Sequence, residues 1–280
     1  DIMSNILDLF RDDLSEVNFD ISGTRCMYEK IKRMQQSVGG TPHITAKVGT
    51  GGVNMFILSN GNKDVTVEKF SGVIIGNHKC NAWFPKGELN SSPICSSNDG
   101  IIGINRQTGE YLNCMTCPNN EFGSDGNGKL CKNMHKLYIL AENCAVPITL
   151  SLPPTSLENW RNYVLSGVAV AEKEISEVVT EFSLSGETSQ TGNKYSVLNF
   201  KMTGYVNDDV NKFCSGMSEL IQTYPQNVLP EDYNREPQTI EQAQDFDSSE
   251  VKEKINNIAA EEIESKVIEP EIEEIDIETL

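Results

Sequence analysis

Four cysteines in the middle of the chain have the spacing of a metal site. Cys95, Cys114, Cys117 and Cys131 form the pattern C-x18-C-x2-C-x13-C. Two residues between Cys114 and Cys117 let both sulfurs face one tetrahedral ion. Thiolates are common ligands of structural zinc, and four of them leave no coordination position for water. The sequence therefore predicts one structural Zn²⁺ site held by these four side chains.

Other residues could complete this ligand set. Cys144 could replace Cys131 or Cys95 as a ligand, and His135 is a weaker substitute. A redox role for the central Cys-x-x-Cys pair is disfavoured, because it lacks the strand leading into a helix that is typical of thioredoxin-like sites. The remaining three cysteines are interpreted as thiols of the core: Cys26, Cys80 and Cys214.

Two stretches close to the cysteines interleave basic and aromatic side chains. Nucleobases stack on aromatic rings while cations follow the phosphates, so this interleaving is typical of proteins that bind single-stranded nucleic acid. The predicted contacts are Lys79, Trp83, Phe84, Lys86, Lys129, Lys132, Lys136 and Tyr138. Each has a structural alternative, because an aromatic ring can face the core and lysines occur on any protein surface.

The sequence does not predict an enzyme. The three histidines, His43, His78 and His135, lie far apart in the chain, and no Gly-x-x-x-x-Gly-Lys phosphate-binding sequence is present. Asp99 could in principle be catalytic, but a polar loop residue close to the zinc is the preferred interpretation. A metal-dependent enzyme would need a cluster of carboxylates that the sequence does not show.

The net charge of −18 over 280 residues argues at first against a nucleic-acid partner. The acids, however, are concentrated at the end of the chain. Residues 231–280 hold 17 of the 41 acidic residues and 4 of the 23 basic ones, a net charge of −13 that leaves −5 for residues 1–230. Residues 224–280, rich in acids, Pro, Gln and Asn, are predicted to be a largely disordered acidic tail.

The rest of the chain must supply the elements that position these residues. Residues 1–40 form an N-terminal helical segment, with candidate helices at 3–14 and 28–34, the second ending at Gly39-Gly40. Residues 41–223 form a β-rich core, into which the zinc loop is inserted at 85–133. No apolar run approaches the roughly 20 residues of a membrane helix, and the first residues do not resemble a signal peptide, so a cytoplasmic protein without a membrane partner is expected.

The core is predicted from alternating apolar and polar residues. Strand candidates cover 43–49, 53–70 with a turn at Asn60-Gly61-Asn62, 71–84, 136–142 and 146–154, and a hairpin covers 177–206. The sequence Thr155-Ser156-Leu157-Glu158 predicts a capped helix start. Several short strands, one helix and a long insertion fit a mainly β fold with minor α content, namely an OB-like barrel with an inserted four-cysteine zinc loop.

The cysteine region resembles a group of bacteriophage and prophage proteins associated with replication or recombination genes. The resemblance covers roughly residues 70–205 and rests on four sequence stretches, at 95–100, 114–124, 128–133 and 152–157. It implies a phage-encoded protein of DNA metabolism that acts in the cytoplasm of the infected bacterial cell. It does not imply a catalytic activity.

The residues and the resemblance together indicate an OB-like single-stranded DNA-binding protein of phage replication or recombination. Such a protein would protect single strands, and its acidic tail could recruit replication or recombination proteins and compete with DNA for a basic groove. The alternative is a phage interaction protein that binds a host enzyme or mimics nucleic acid through its acidic surface. A continuous basic groove on the core is expected for the first and not for the second.

Overall fold

The computed structural model describes residues 14–49, 52–86, 92–189 and 192–223. Their helices are α1 Ser22–Val38, α2 Leu157–Asn162 and α3 Asp208–Thr223, and their strands are β1 Ile44–Val48, β2 Phe56–Ser59, β3 Asp64–Val67, β4 Lys69–Trp83, β5 Cys95–Ser97, β6 Ile102–Asn105, β7 Tyr111–Asn113, β8 Cys131–Ala141, β9 Ile148–Leu152, β10 Val178–Thr188 and β11 Lys194–Tyr205. The helix predicted at 3–14 and the acidic tail fall almost entirely outside these residues. Within them, no helix is long and apolar enough to cross a membrane.

The strands form one sheet organised around the long strand β4. The main path runs β3-β2-β1-β9-β8-β4-β5-β6-β7. Strand β8 pairs with β4 from Gly72, opposite Ala141, to Trp83, opposite Cys131. On its other edge β4 pairs with β10 near its beginning and with β5 at its end. One strand therefore belongs both to the core of the protein and to the cysteine region.

The sheet curls back on itself without closing. The hydroxyl of Ser196, on β11, donates a hydrogen bond to the carbonyl of Val53 just before β2, at 3.2 Å. The Asn159 amide donates to the carbonyl of Leu198 at 2.8 Å and covers the free edge of β11. These contacts bring distant parts of the path together, but they are not a strand ladder. The mainly β prediction with minor α content is confirmed, while the sheet of the described residues is open and does not confirm a closed barrel.

The concave side of the sheet holds the larger hydrophobic cluster. Phe56, Leu137, Leu150, Phe182 and Leu198 are all fully buried there. A side chain of this size contributes roughly 1.5–3 kcal/mol when it is removed from water, so this cluster is a main source of stability. Rings from the segment that begins with α2 add to the cluster and pack against the hairpin β10–β11: Trp160 and Tyr163 both contact Phe200.

Helices α1 and α3 cover the opposite side of β4, β8 and β10. Ile31 of α1 and Met217 of α3 are fully buried in this second cluster. Helix α1 includes the candidate at 28–34 and ends at Gly39, whose φ of 71° is left-handed and whose N–H bonds to the carbonyl of Gln35. The predicted stop at Gly39-Gly40 is confirmed. Helix α3 was not predicted.

The predicted cap of α2 is wrong in one respect. The helix begins at Leu157, as expected, but the Ser156 side chain makes no capping hydrogen bond. Its hydroxyl instead accepts the backbone N–H of Leu198 at 3.0 Å. The serine therefore accepts a hydrogen bond from the edge of β11. This is a tertiary contact, which local sequence patterns do not reveal.

Strand β4 can pair closely with both β8 and β10 because Gly72 has no side chain. A Cβ at Gly72 would lie 2.6 Å from both a methyl of Ile139 and the carbonyl oxygen of Leu140. We expect Gly72→Ala to destabilise the protein by about 1–3 kcal/mol through overpacking. At Gly76 on the same strand the nearest atom would lie at 3.6 Å, so Gly76→Ala is the matched control. Urea unfolding measures both, and equal stabilities would contradict the argument.

Candidate metal centre and nucleic-acid interface

Two of the four predicted ligands flank the end of β4. Cys95 is the first residue of β5 and Cys131 the first residue of β8, and both are register partners of Trp83. Directly opposite residues of adjacent strands project to the same face of a sheet. The two cysteines therefore project to one face, on either side of the tryptophan. Residues 95–131 are called the cysteine module below.

The other two ligands follow β7 in a tight loop. The backbone N–H of Cys114 bonds to the carbonyl of Ile101 at 2.8 Å. A Cβ at Gly103 would lie 3.0 Å from the sulfur of Cys95 and 3.5 Å from that of Cys114. The sulfurs thus share the space that the glycine leaves open. Cys117 comes directly before the short 3₁₀ turn Pro118–Asn120. Gly103 is part of this site, and the predicted ligand spacing did not reveal it.

The four thiols influence one another electrostatically. Burial, followed by the neighbouring Cys114, Cys95 and Cys117, raises the pKa of Cys131 to about 12. Burial, then Cys114 and Cys117, also raises the pKa of Cys95. Such thiols stay protonated by themselves, and a divalent cation would displace their protons and bind the thiolates. All four are free of disulfides.

The cluster has the ligand types of a structural zinc site. Four thiolates are a ligand set that suits Zn²⁺, which would tie β5, the loop after β7 and the start of β8 together. In the described residues, no group of three or more His, Cys, Asp or Glu side chains is arranged to hold a metal ion. Coordination of zinc by these four cysteines stays a prediction.

The two substitute ligands lie elsewhere. Cys144 follows the opposite end of β8, a strand of eleven residues that spans roughly 30 Å or more. Its thiol donates a hydrogen bond to the carbonyl of Val146 at 3.0 Å. His135 lies beside the amide oxygen of Asn77 at 2.8 Å and packs against the ring of Trp160. Neither side chain is positioned to replace one of the four cysteines.

A network of amide side chains holds the loop against the sheet. The Asn133 amide donates to Asn81 at 2.8 Å and to Asn120 at 2.9 Å. Asn120 in turn donates to the carbonyl of Cys114 at 2.7 Å. The ammonium of Lys129 donates to Asn133 at 3.0 Å. The network fixes the backbone that carries the cysteines, and it engages Lys129, one of the predicted nucleic-acid contacts.

Two more of the predicted lysines bind a carboxylate of the same loop. Asp125 lies 2.6 Å from the ammonium of Lys86 and 3.7 Å from that of Lys132. The hydrogen bond from Lys86 is the largest cause of the lowered pKa of Asp125. Asp99 is likewise structural, because it accepts the N–H groups of Ile101 and Ile102 and closes the turn before β6.

Three of the eight predicted contacts are buried. Phe84 is 7% exposed, and Lys136 and Tyr138 are each 1% exposed. Tyr138 belongs to the cluster under the helices and packs against the ring of His78. A side chain enclosed in this way cannot meet a nucleic acid from solvent, so the predicted contact role of these three is wrong. The accessible or partly accessible contacts are Lys79, Trp83, Lys86, Lys129 and Lys132.

Two aromatic side chains that the sequence analysis did not single out are exposed instead. Tyr111 is 73% and Phe122 is 78% exposed, and all other aromatic residues in the described ranges are buried or partly buried. Both belong to the cysteine module. The alternation of Ile102 and Ile104 before a turn could have revealed the hairpin that carries Tyr111, although each of its strands is very short.

Comparison of the chain with protein-family models, with curated proteins and with solved structures gives no match. The interpretation of this site therefore depends on its own residues.

The metal content of the purified protein tests the predicted zinc site. We expect the purified chain to hold about one Zn²⁺, since four thiolates make one tetrahedral site. Cys114→Ser and Cys131→Ser should lose the metal, whereas Cys144→Ser should retain it. Elemental analysis of the three variants and the wild-type chain measures this. Retention of zinc by both ligand variants would contradict the assignment.

The pH dependence of stability tests the buried environment of His135. Burial, then the charges of His78 and Lys79, lowers its pKa from 6.5 to about 4. Between these values the unfolded chain binds a proton that the folded chain does not, so the free energy of unfolding should fall as pH falls through this window. His135→Gln should flatten that dependence, while His43→Gln serves as the control. Urea unfolding at several pH values measures it, and parallel wild-type and His135→Gln curves would refute it.

Proposed function

We propose that this chain binds single-stranded DNA through its cysteine module and the adjoining end of β4, with Zn²⁺ in a structural role. The observation that carries the proposal is the location of the accessible cations and aromatic rings. Lys79 and Trp83 alternate onto one face of β4, and Lys86 follows just beyond the end of the strand. Lys132, the register partner of Ala82, projects from the other face at the same end of the sheet. Cations next to accessible rings are the combination that single-strand binding needs.

The electrostatics of this region differ from those of the whole chain. Lys79, Lys86 and Arg106 are exposed there, although the chain carries a net charge of −18. Lys86 and Lys132 share the single carboxylate of Asp125, so they retain an excess of positive charge. Residues 79–132 hold five basic and five acidic residues, so this region is neutral where the whole chain is strongly acidic, and charges beyond about 8–10 Å are screened at physiological salt.

The proposed role is binding rather than catalysis. The thiols of the cluster would occupy all four positions of a bound zinc and leave none for a reacting water. In this proposal the protein acts in the replication or recombination of phage DNA in the host cytoplasm, where it protects single strands. The acidic tail, residues 224–280, recruits partner proteins and competes with DNA for the cations of the module.

Fluorescence anisotropy with labelled single-stranded and duplex oligonucleotides tests the proposal. We expect tighter binding of the single strand, with an affinity that falls as salt rises. A version ending at residue 230 should bind more tightly, because the competing acids are removed. Lys79→Ala should reduce the slope of log affinity against log salt by about 0.7, the value for one phosphate contact on a single strand.

The control is Lys63→Ala in the turn between β2 and β3, which should leave the slope unchanged. Absence of single-strand binding by both the full chain and the shortened version would refute the proposal. That result would favour the alternative, a protein that binds a host enzyme through its acidic surface, and a pull-down with the full chain would then identify the enzyme.

A further inference from the structure

The hairpin β6–β7 presents an exposed face with an unusual composition. Ile102, Ile104 and Tyr111 are 44%, 43% and 73% exposed. Large apolar side chains that share an exposed face commonly mark a binding surface. The hairpin ends the sheet path, and β7 has no further strand on its outer edge within the described residues.

The strand register places these side chains together. Ile104 is directly opposite Tyr111, and Ile102 is directly opposite Asn113. Ser96 of β5 is opposite Ile104 on the other side. Because opposite residues project to the same side of a sheet, these five side chains share one face. The cysteine sulfurs lie on the other face, beside Gly103.

A guanidinium lies on the same face as the ring. Arg106 follows Ile104 by two residues, and its terminal nitrogen donates to the hydroxyl of Ser96 at 3.4 Å. Glu110 directly precedes β7 and is not among the residues that the strand register places on this face. The exposed face therefore combines an aromatic ring, two aliphatic side chains and a cation.

The face is held rigid by its turns. The side chain of Asn105 accepts the N–H of Gln107 at 3.0 Å, and the N–H of Asn105 bonds to the carbonyl of Glu110 at 2.9 Å. Before β6, Asp99 accepts two backbone N–H groups. A rigid platform loses little conformational entropy when it binds a ligand.

We infer that this face, comprising Ile102, Ile104, Arg106 and Tyr111, is the base-stacking platform for single-stranded DNA. The inference rests on the proposed function and assigns the bases to this face instead of to Trp83. The tryptophan is partly buried and lies between the register partners Cys95 and Cys131, whereas the ring of Tyr111 is open to solvent. The adjacent guanidinium supplies the charge complementarity to a phosphate, which an apolar protein partner would not require.

The test compares full-length variants on two oligonucleotides of equal length, oligothymidine and an abasic strand with the same phosphates. Tyr111→Ala should weaken oligothymidine binding about 5-fold or more, the loss of one stacked base, and leave abasic binding unchanged. Tyr111→Phe, which keeps the ring, should bind as the wild type does. Arg106→Gln should lower the salt slope by about 0.7 on both strands. Val65→Ala, an exposed apolar residue on β3, is the control.

The outcomes separate this inference from the proposed function. If the wild type binds oligothymidine and Tyr111→Ala binds it equally well, the platform is overturned and single-strand binding stands. Loss of binding in Trp83→Phe without loss in Tyr111→Ala would move the stacking site to the tryptophan and also overturn it. If the wild type does not bind oligothymidine, the proposed function itself fails. A Tyr111→Ala variant with full DNA affinity and a changed size by light scattering would show that the face joins two copies.

Discussion

The antiparallel ladder between β4 and β8 supports both parts of the described structure. Near one end, Ile74 and Ile139 lie opposite each other in the concave core. At the other end, Trp83 and Cys131 lie opposite each other in the cysteine region. The irregularity in register between Ile74 and Gly76 divides these two stretches. Because both strands are extended and paired along this length, the packing of the core fixes the position of the strand ends that carry the cysteines.

Few hydrophobic side chains of the cysteine module are buried. The nearest buried cluster contains Cys80, Ala82, Phe84 and Met134, and it belongs to β4, β8 and the residue after β4. Small units with so few apolar contacts commonly need a metal or a disulfide for stability. Here the amide network around Asn120 and Asn133 holds the loop, and zinc bound by the four cysteines would add to its stability. The module therefore does not need its large apolar side chains in its interior, and they lie on its exposed surface.

In the proposed function, this arrangement would connect stability with binding. The face that carries Tyr111 lies opposite the face that carries the sulfurs, so the ligand cluster can hold the small sheet without occupying its outer side. Rigid turns at Asp99 and Asn105 keep the hairpin in one conformation. A metal in the cluster would strengthen this link, because it would join strands that the backbone holds only through short ladders.

Elements with clear alternation or strong local signals were predictable. The hairpin β10–β11, strand β9 and the helix end at Gly39 follow from such patterns. Strands β5 to β7 have three or four residues each, too few to show a period. Helix α3 was missed although Val210, Cys214, Met217 and Ile221 have helical spacing.

The exposure of the predicted nucleic-acid contacts was harder to predict than the grouping of the cysteines. Residues 136–140 of β8 are buried on both faces of the sheet, so their sequence does not show which side chains reach solvent. The interleaving of lysines with an aromatic residue predicted Lys136 and Tyr138 as contacts, and that pattern does not distinguish a buried strand from an exposed one. Exposure of Tyr111 depends on the position of its hairpin at the end of the sheet, and that is a property of the tertiary fold.

Hydrogen exchange of the full chain, with and without saturating oligothymidine, tests whether the cysteine module is the DNA-binding surface. We expect slower exchange of backbone amides in 79–86 and 101–113 when the oligonucleotide is bound, with α1 and α3 unchanged. Slower exchange confined to α1 and α3, or no change in the module, would contradict it.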